Sequence, residues 1–244
     1  MRRVGLPLSS CRLPLPSVLG LLSLLALLAL APGAQAASTR PVAVPAAGYL
    51  AWPKIAVRAE PSATARVVAT LREFEPDFRR RVIFAVDVRT NARGNAAWYK
   101  VSLPGRPNGR TGWVNAAGVT LKSVFREIVI HRGQRTLELR DHGRVLLRTR
   151  VAVGAPGMET PLGTYYVIWG FRPPNPFLGS WAFATSAYSK LSEWPGGGIV
   201  GIHGTSAPQF LGQAVSHGCV RVSNAAVLVL KRYVRPGTPI RILR

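Results

Sequence analysis

The residues best suited to covalent chemistry are a histidine and a cysteine in the last quarter of the chain. His203 stands in the β-type run 199–205, and Cys219 follows it after a short spacer. A thiol attacks a carbonyl only as the thiolate, and a neighbouring imidazole can remove its proton. Gly218 directly precedes Cys219, and a glycine there lets a backbone N–H approach the carbonyl under attack. Arg221 is positively charged and can hold a carboxylate of the substrate.

The same residues allow two other interpretations. An isolated cysteine is most often a small apolar residue of the core, and its closeness to a histidine in sequence can be chance. His203, His217 and Cys219 could also bind zinc, since cysteine and histidine are common zinc ligands. The carboxylate usual in metallopeptidase sites is missing, because the nearest acids along the chain are Glu159 and Glu193. We therefore predict a site without a metal or a cofactor.

Short strands and one helix have to position these residues. Five runs are predicted strands, namely 127–131, 136–140, 145–153, 164–169 and 238–243. Ser223 and Asn224 cap a predicted helix over 225–234. The apolar face of this helix is predicted to contain four residues, Val227, Leu228, Leu230 and Val234. We expect the stretch 171–194 to form a lid over the groove that contains His203 and Cys219.

The segment from about 48 to 121 has a different sequence pattern, in which short β-type runs are separated by turn residues. Residues 98–103 include an alternating apolar and polar stretch, and Asn108 with Gly109 is a strong turn signal. We predict a small barrel of antiparallel strands. Three aromatic residues are expected in its core rather than on a ligand platform, namely Trp98, Tyr99 and Trp113.

The composition is that of a folded and strongly basic chain. With 244 residues and 48% hydrophobic content, the chain can bury a core and is not a disordered polyelectrolyte. Two cysteines exclude a disulfide scaffold. The net charge of +22 favours anionic partners and substrates that carry carboxylates. We expect no binding of nucleic acid, because the only real arginine cluster is 79–81 and no interleaved aromatic motif accompanies it.

The N-terminus is typical of an export signal. A basic start precedes an uncharged, leucine-rich run over 18–31, and small residues near Ala36 suit cleavage by a signal peptidase. We predict a signal peptide over residues 1–36 and a location in the periplasm or the extracellular cell wall. Contact with a membrane is expected only if the signal stays uncleaved as an anchor. Cleavage removes Cys11, so the mature chain keeps Cys219 as an unpaired thiol.

A longer motif surrounds the histidine and the cysteine. Its residues are His203, Gly204 and Thr205, then Ser216, His217, Gly218 and Cys219, and finally Arg221 and Asn224. Upstream, Gly154 and the run Thr-Pro-Leu-Gly at 160–163 complete the pattern. This half of the chain resembles the L,D-transpeptidase catalytic domain, the YkuD family of enzymes that cross-link peptidoglycan. The resemblance implies a β-sandwich of that type over 122–244, with one C-terminal helix.

Three motifs of the first segment are similar to bacterial SH3-like domains. They are the turn 57–62, the strand 97–101 and the run 110–114. The resemblance implies a small SH3-like β-barrel over 48–121, preceded by a low-complexity linker over 37–47. The whole mature chain is thus expected to be mainly β.

The family resemblance implies a transferase with a cysteine nucleophile. The Cys219 thiolate attacks the L,D bond before the terminal D-Ala of a stem tetrapeptide, and D-Ala leaves. An amine of a neighbouring stem then resolves the thioester and makes the cross-link. His203 serves as proton acceptor and donor, and the carbonyl of Gly204 orients its ring.

The other residues of the motif are implied to form the pocket. Backbone groups around His217, Gly218 and Cys219 form the oxyanion hole, and Ser216 helps to shape it. Three residues are implied to bind substrate, namely Arg221, Thr205 and Asn224. The implied partners are peptidoglycan stem peptides, and the positive charge favours anionic wall polymers as well.

The sequence does not decide which molecule accepts the acyl group. Water would make the protein an L,D-carboxypeptidase, and a protein amine would make it an anchoring ligase. A non-catalytic protein that binds the cell wall is a further alternative. The segment 48–121 offers no nucleophile, so we expect a chain that begins near Lys122 to keep its rate on a soluble stem peptide.

Overall fold

The computed structural model describes residues 40–193 and 197–244. The predicted signal peptide and the first residues of the predicted linker lie outside these ranges. The described chain is mainly β, as the sequence predicted, and its one α-helix is α1, Asn224–Tyr233. Three short 3-10 helices are also present, at Ala116–Gly118, Pro176–Leu178 and Pro208–Phe210. Among the described residues no helix is long and apolar enough to cross a membrane.

The first sheet has seven antiparallel strands. They are β1 (Ala46–Leu50), β2 (Lys54–Arg58), β3 (Val67–Arg72), β4 (Val82–Thr90), β5 (Ala96–Ser102), β6 (Thr111–Asn115) and β7 (Val119–Ser123). Their order across the sheet is β3-β2-β6-β5-β4-β1-β7. Strand β1 begins inside the segment 37–47, which we predicted to be a linker. The reason is that Ala46 is fully buried where β1 pairs with both β4 and β7.

The predicted aromatic core of this sheet is only partly correct. Tyr99 and Trp113 are buried, and the hydroxyl of Tyr99 accepts a hydrogen bond from the backbone N–H of Val42 at 2.8 Å. Trp98 is only half-buried. Neighbouring residues of a strand point to opposite faces, so Trp98 and Tyr99 cannot share one core.

The C-terminal half forms an eight-stranded sheet and a separate two-stranded one. Its strands are β8 (Arg126–His131), β9 (Thr136–Asp141), β10 (Arg144–Arg150), β11 (Val153–Gly154), β12 (Gly163–Phe171), β13 (Ala182–Tyr188), β14 (Ile199–His203), β15 (Ala214–Ser216), β16 (Val220–Arg221) and β17 (Pro239–Leu243). The larger sheet has the order β10-β9-β8-β17-β12-β13-β14-β16, and β11 pairs with β15 in parallel. The predicted strands 127–131, 136–140, 164–169 and 238–243 correspond to β8, β9, β12 and β17.

The predicted strand 145–153 is interrupted. Strand β10 ends at Arg150, and the next two residues, Val151 and Ala152, are fully buried. The backbone N–H of Val151 binds the carbonyl of Arg135, whereas Ala152 forms a bridge with Arg221. The chain therefore leaves the edge of one sheet and enters the core before β11 begins.

The expectation of a lid over 171–194 is wrong for its central part. Strand β13 lies inside the large sheet, between β12 and β14. The polar residues Thr185 and Ser186 gave no indication in the sequence that this strand is buried. In the structure both hydroxyls have hydrogen-bond partners inside the sheet. Thr185 donates to the carbonyl of Val200 at 2.6 Å, and Ser186 accepts from the N–H of Tyr166 at 3.0 Å. A buried hydroxyl is tolerated in a sheet when it is hydrogen-bonded in this way.

Helix α1 begins where the sequence predicted. The hydroxyl of Ser223 accepts a hydrogen bond from the N–H of Ala226 at 3.1 Å, which is the usual N-cap contact. Val227, Leu230 and Val234 are buried, but Leu228 is 48% exposed. A residue one position after Val227 is turned about 100° around the helix axis, so it leaves the apolar stripe.

The two large sheets pack against each other within one compact unit, Ala36–Arg244. Phe84 of β4 stacks on Tyr166 of β12 with ring centroids 5.1 Å apart. Both side chains are almost completely buried, and Val82 belongs to the same cluster. An apolar contact of this kind holds the first sheet against the second directly.

Candidate active site

Two parallel strands bring His203 and Cys219 together. Strand β14 ends at His203, which lies opposite Arg221 of β16, and Cys219 directly precedes β16. Gly201 of β14 borders both reactive side chains. Its N–H donates to the sulphur of Cys219 at 3.3 Å, and a Cβ added to it would lie 3.8 Å from Cys219 Sγ and from His203 Cδ2. A Cβ at Gly201 would be in ordinary van der Waals contact with both groups, so the thiol and the imidazole border the same small volume.

The ring of His203 is buried and held in one orientation. Its Nδ1 lies 2.6 Å from the carbonyl oxygen of Gly204. A carbonyl only accepts, so Nδ1 carries the hydrogen and the neutral ring keeps Nε2 as its acceptor. Burial lowers the pKa of His203 to about 4, and the charge of Arg221 acts in the same direction, against the effect of the Gly204 carbonyl. His203 is therefore neutral at neutral pH.

The thiol of Cys219 is partly exposed and mainly un-ionised. Burial raises its pKa above the ordinary value, because a thiolate loses solvation there. The hydrogen bond from Gly201 and the charge of Arg221 counteract this rise. The resting site thus holds a neutral thiol beside a neutral imidazole.

The cysteine loop, residues 216–219, is held by hydrogen bonds to its own backbone. The hydroxyl of Ser216 donates to the carbonyl of Cys219 at 2.5 Å and accepts from the N–H of Gly218 at 3.2 Å. Thr160 lies between β11 and β12. Its hydroxyl donates to the carbonyl of Gly218 at 2.9 Å and accepts from the N–H of Gly154 of β11 at 3.0 Å. These contacts fix the backbone on both sides of Cys219.

This geometry corrects one expectation about the oxyanion hole. The N–H of Gly218 donates to Ser216, so it is engaged and does not point freely to a substrate. Gly218 instead adopts a φ of +113°, which favours glycine, and an added Cβ would approach the Cβ of Ser189 to 2.9 Å. The glycine is needed for the shape of the loop. His217 is half-buried in the same loop.

Arg221 lies beneath the aromatic ring of Phe177. The guanidinium is 4.8 Å from the ring centroid, and the side chain is only 9% exposed. Its Nε is buried and has no hydrogen-bond partner among the described residues. A buried donor without an acceptor is costly, so this atom is suited to an acceptor that a ligand brings.

Asn224 and Thr205 make positioning contacts with the backbone. Asn224 accepts from the N–H groups of Ser180 and Thr205 at 3.0 and 3.3 Å, and donates to the carbonyl of Thr205 at 3.1 Å. The hydroxyl of Thr205 accepts from the N–H of Ala207. These contacts hold the chain that follows His203, so both residues have a positioning role.

Comparison with known proteins finds relatives of this half of the chain. Residues 126–242 match the family model of YkuD, the L,D-transpeptidase catalytic domain. The chain is 29% identical to YkuD of Bacillus subtilis (strain 168) over 177 residues, which cover 72% of this chain and 94% of that protein. YkuD of Bacillus licheniformis is 29% identical over 178 residues, or 71% of this chain and 93% of that protein.

A solved structure with a similar arrangement is an L,D-transpeptidase from Mycobacterium smegmatis. The two share 16% sequence identity with a TM-score of 0.44, over 68% of this chain and 91% of that chain.

Sequence reasoning missed three residues that border Cys219 or its loop. Thr160 was seen only as part of a motif, although a threonine before proline and glycine is a buried hydrogen-bond donor here. Gly201 and Ser189 gave no signal of their own. A small residue two positions before the histidine could have indicated the space that the thiol occupies.

The alternative interpretation as a zinc site finds no support in the geometry. In the part of the chain that the structure describes, no group of three or more histidine, cysteine or acidic side chains could hold a metal ion.

The arginine cluster 79–81 is neutralised within its own loop. Arg79 pairs with Asp77, Arg80 with Glu73, and Arg81 with Glu75. It is therefore not an open basic patch.

Proposed function

We propose that this protein is an exported peptidoglycan L,D-transpeptidase with Cys219 as its nucleophile. The observation that carries the proposal is the pairing of a partly exposed thiol with a buried imidazole whose Nδ1 is fixed at 2.6 Å from the Gly204 carbonyl. This carbonyl takes the place of the carboxylate in a Ser-His-Asp triad, because both hold the tautomer that leaves Nε2 as base. The YkuD match over 126–242 supports the substrate class.

The first half-reaction forms a thioester. Nε2 of His203 accepts the thiol proton while the sulphur attacks the carbonyl carbon of the L,D peptide bond. The tetrahedral intermediate collapses with cleavage of the C–N bond, and the imidazolium returns the proton to the leaving amine of D-Ala. The oxyanion is stabilised by backbone N–H groups beside the sulphur, for which we propose those of His217 and Cys219.

The second half-reaction transfers the acyl group to an amine of a neighbouring stem. The amine attacks the thioester carbon, His203 accepts its proton, and the departing sulphur of Cys219 takes this proton back. The enzyme returns to its neutral resting state.

Arg221 is proposed to bind the carboxylate of the terminal D-Ala. Its buried Nε lacks an acceptor among the described residues, and a carboxylate would supply one. Asn224 and Thr205 act by positioning the backbone after His203 rather than by direct contact.

The acceptor decides between related activities. Transfer to water would give a carboxypeptidase, and transfer to a protein amine would give an anchoring ligase. A wall-binding protein without activity is disfavoured, because both the nucleophile and its oriented base are intact.

The first test is the Cys219→Ala variant. We expect loss of D-Ala release and of cross-links by at least about three orders of magnitude, because Cys219 is the only thiol in residues 40–193 and 197–244. Mass spectrometry of muropeptides after incubation with each protein measures this and separates cross-links from trimmed stems. The control is Ser206→Ala, which alters an exposed residue directly after Thr205 and should keep full activity. Cross-linking by the Cys219→Ala protein would refute the assignment.

A further inference from the structure

A cavity of about 640 Å³ lies beside the active site, between the first sheet and the catalytic domain. We call it the lateral cavity. The loop between β5 and β6 (residues 103–110) contributes Arg106 and Asn108 to its wall. The catalytic domain contributes Arg132, Glu159 and Lys190, among others.

The lateral cavity adjoins the cysteine loop through two of its lining segments. Ser189 lines the cavity, and its Cβ is the atom that an added Cβ on Gly218 would meet at 2.9 Å. Glu159 also lines it and directly precedes Thr160, whose hydroxyl binds the Gly218 carbonyl. A peptide bound at Cys219 therefore has this cavity within its reach on one side.

The wall of the cavity is preformed by contacts from the first sheet. The side-chain amide of Asn108 donates to the carbonyl of Tyr188 at 2.7 Å and accepts from its N–H at 2.9 Å. Arg106 donates to the carbonyls of Ser189 and Leu191 at 3.0 and 3.2 Å. Its guanidinium also lies 4.9 Å from the centre of the Tyr188 ring. The loop thus lies beside the end of β13, and the Asn108 amide bonds to its backbone in the way that a neighbouring strand would.

The charges of the cavity do not cancel. Glu159 pairs with Lys190 at 3.1 Å, and its pKa is lowered to about 2 by backbone N–H groups of its own loop and by Lys190. This acid is therefore fully ionised and its charge is matched by the lysine. Arg106 and Arg132 have no acidic partner among the described residues. Arg132 donates instead to the carbonyl of Thr160 at 2.9 Å.

Two guanidinium groups held by carbonyls keep their full positive charge. A carbonyl fixes the position of the group without neutralising it, so remaining N–H donors can bind an anion without a large loss of conformational freedom. We propose that the lateral cavity binds a second carboxylate of the peptide substrate, apart from the carboxylate assigned to Arg221. This inference rests on the proposed function, since it concerns the same substrate.

A peptide carboxylate is favoured over a phosphate polymer by the location of the cavity. The site borders the cysteine loop, where a peptide must lie for the reaction, and the cavity has the volume of a few residues rather than an extended polymer groove. The first sheet then contributes to substrate recognition through Arg106, although it contributes no nucleophile.

Binding to the inactive Cys219→Ala protein tests the proposal without turnover. The affinity is measured for two ligands. One is a stem tetrapeptide that ends in D-Ala, and the other is the same peptide with its second carboxylate, the one that is not on the terminal D-Ala, converted to a primary amide. We expect amidation to raise the Kd about tenfold. In the same background, Arg132→Gln combined with Arg106→Gln should abolish this difference, because the residues that recognise the carboxylate are gone.

The control is Arg144→Gln, which removes an exposed arginine of β10 that does not line the cavity. It should keep the tenfold effect of amidation. An equal effect of amidation in the double variant and the control would overturn the proposal. Loss of binding to a glycerol-phosphate oligomer in the double variant, with no effect of amidation in any protein, would also overturn it in favour of a wall polymer.

The outcome is separable from that of the proposed function. D-Ala release by the protein with Cys219 intact reports the reaction, whereas the comparison of the two peptides reports the carboxylate. Turnover without an amidation effect contradicts only the cavity proposal. Failure of D-Ala release from both peptides contradicts the reaction.

Discussion

At the scale of single residues, burial acts in opposite directions on the two reactive side chains. It lowers the pKa of His203 and raises that of Cys219, because each loses solvation of its charged form. The resting pair is therefore neutral, and in the proposed reaction the proton moves only as the sulphur attacks. Arg221 lies close enough to influence both groups, so it lowers the cost of the thiolate and raises that of the imidazolium.

The buried histidine also makes the fold sensitive to acid. Between its ordinary pKa of 6.5 and the folded value of about 4, the unfolded chain binds a proton that the folded chain does not. Stability is thus complete above about pH 6.5 and falls as the pH drops towards 4, by about 3 kcal/mol from this residue. We expect urea unfolding at pH 7 and about pH 4.5 to show a smaller loss of unfolding free energy in His203→Gln than in the unchanged protein.

A matched control for this measurement is His131→Gln, which alters a half-buried histidine at the end of β8 that forms no ion pair among the described residues. It should keep the acid sensitivity of the unchanged protein. The same pH dependence in all three proteins would contradict the assigned burial of His203.

At the scale of elements, the active site is assembled where short segments meet the end of a sheet. Strands β14 and β16 bring the histidine and the cysteine together, and the segment before β12 supplies Thr160. Helix α1 contributes through Asn224, at its first turn, which holds the backbone after His203. None of these segments would keep the geometry alone, since most of the contacts are side chain to backbone across different elements.

Thr160 is the residue whose loss should loosen the cysteine loop. Thr160→Val removes a fully buried donor and acceptor and leaves the carbonyl of Gly218 and the N–H of Gly154 without this partner. We expect a loss of about 1–3 kcal/mol in unfolding free energy and a reduced kcat. Thr160→Ser keeps the hydroxyl and should restore most of the kcat, which separates the hydrogen bond from packing. Equal kcat values for Val and Ser would show that the hydroxyl does not position the loop.

At the scale of the whole molecule, the first sheet and the C-terminal half form one packed unit. Phe84 and Tyr166 are stacked in a buried cluster, and Arg106 and Asn108 hold the chain after β13. This changes our expectation for a chain that begins near Lys122. Such a chain would expose Tyr166 and release the wall of the lateral cavity.

We now expect the chain that begins at Lys122 to lose at least about tenfold in rate on a soluble stem peptide, as well as its activity on sacculi. In the full chain, Phe84→Ala should lower the unfolding free energy by about 3–5 kcal/mol through the cavity that it creates. Phe78→Ala is the control, since that ring is 88% exposed. Urea unfolding and D-Ala release measure both effects. An undiminished rate for the shortened chain would reduce the first sheet to a spacer.

Local patterns in the sequence were enough to predict the mainly β fold, four strands of the large sheet, the helix with its cap, and the similarity of the second half to YkuD proteins. These features depend on local patterns, such as alternation, a capping serine and a motif with fixed spacing. The position of β13, the role of Thr160 and the contribution of Arg106 were decided by tertiary structure alone. The physical reason is that each depends on a partner distant in the chain: the hydroxyls of β13 on Val200 and Tyr166, Thr160 on Gly218, and Arg106 on Ser189. No local pattern in the sequence records which carbonyl a side chain will meet.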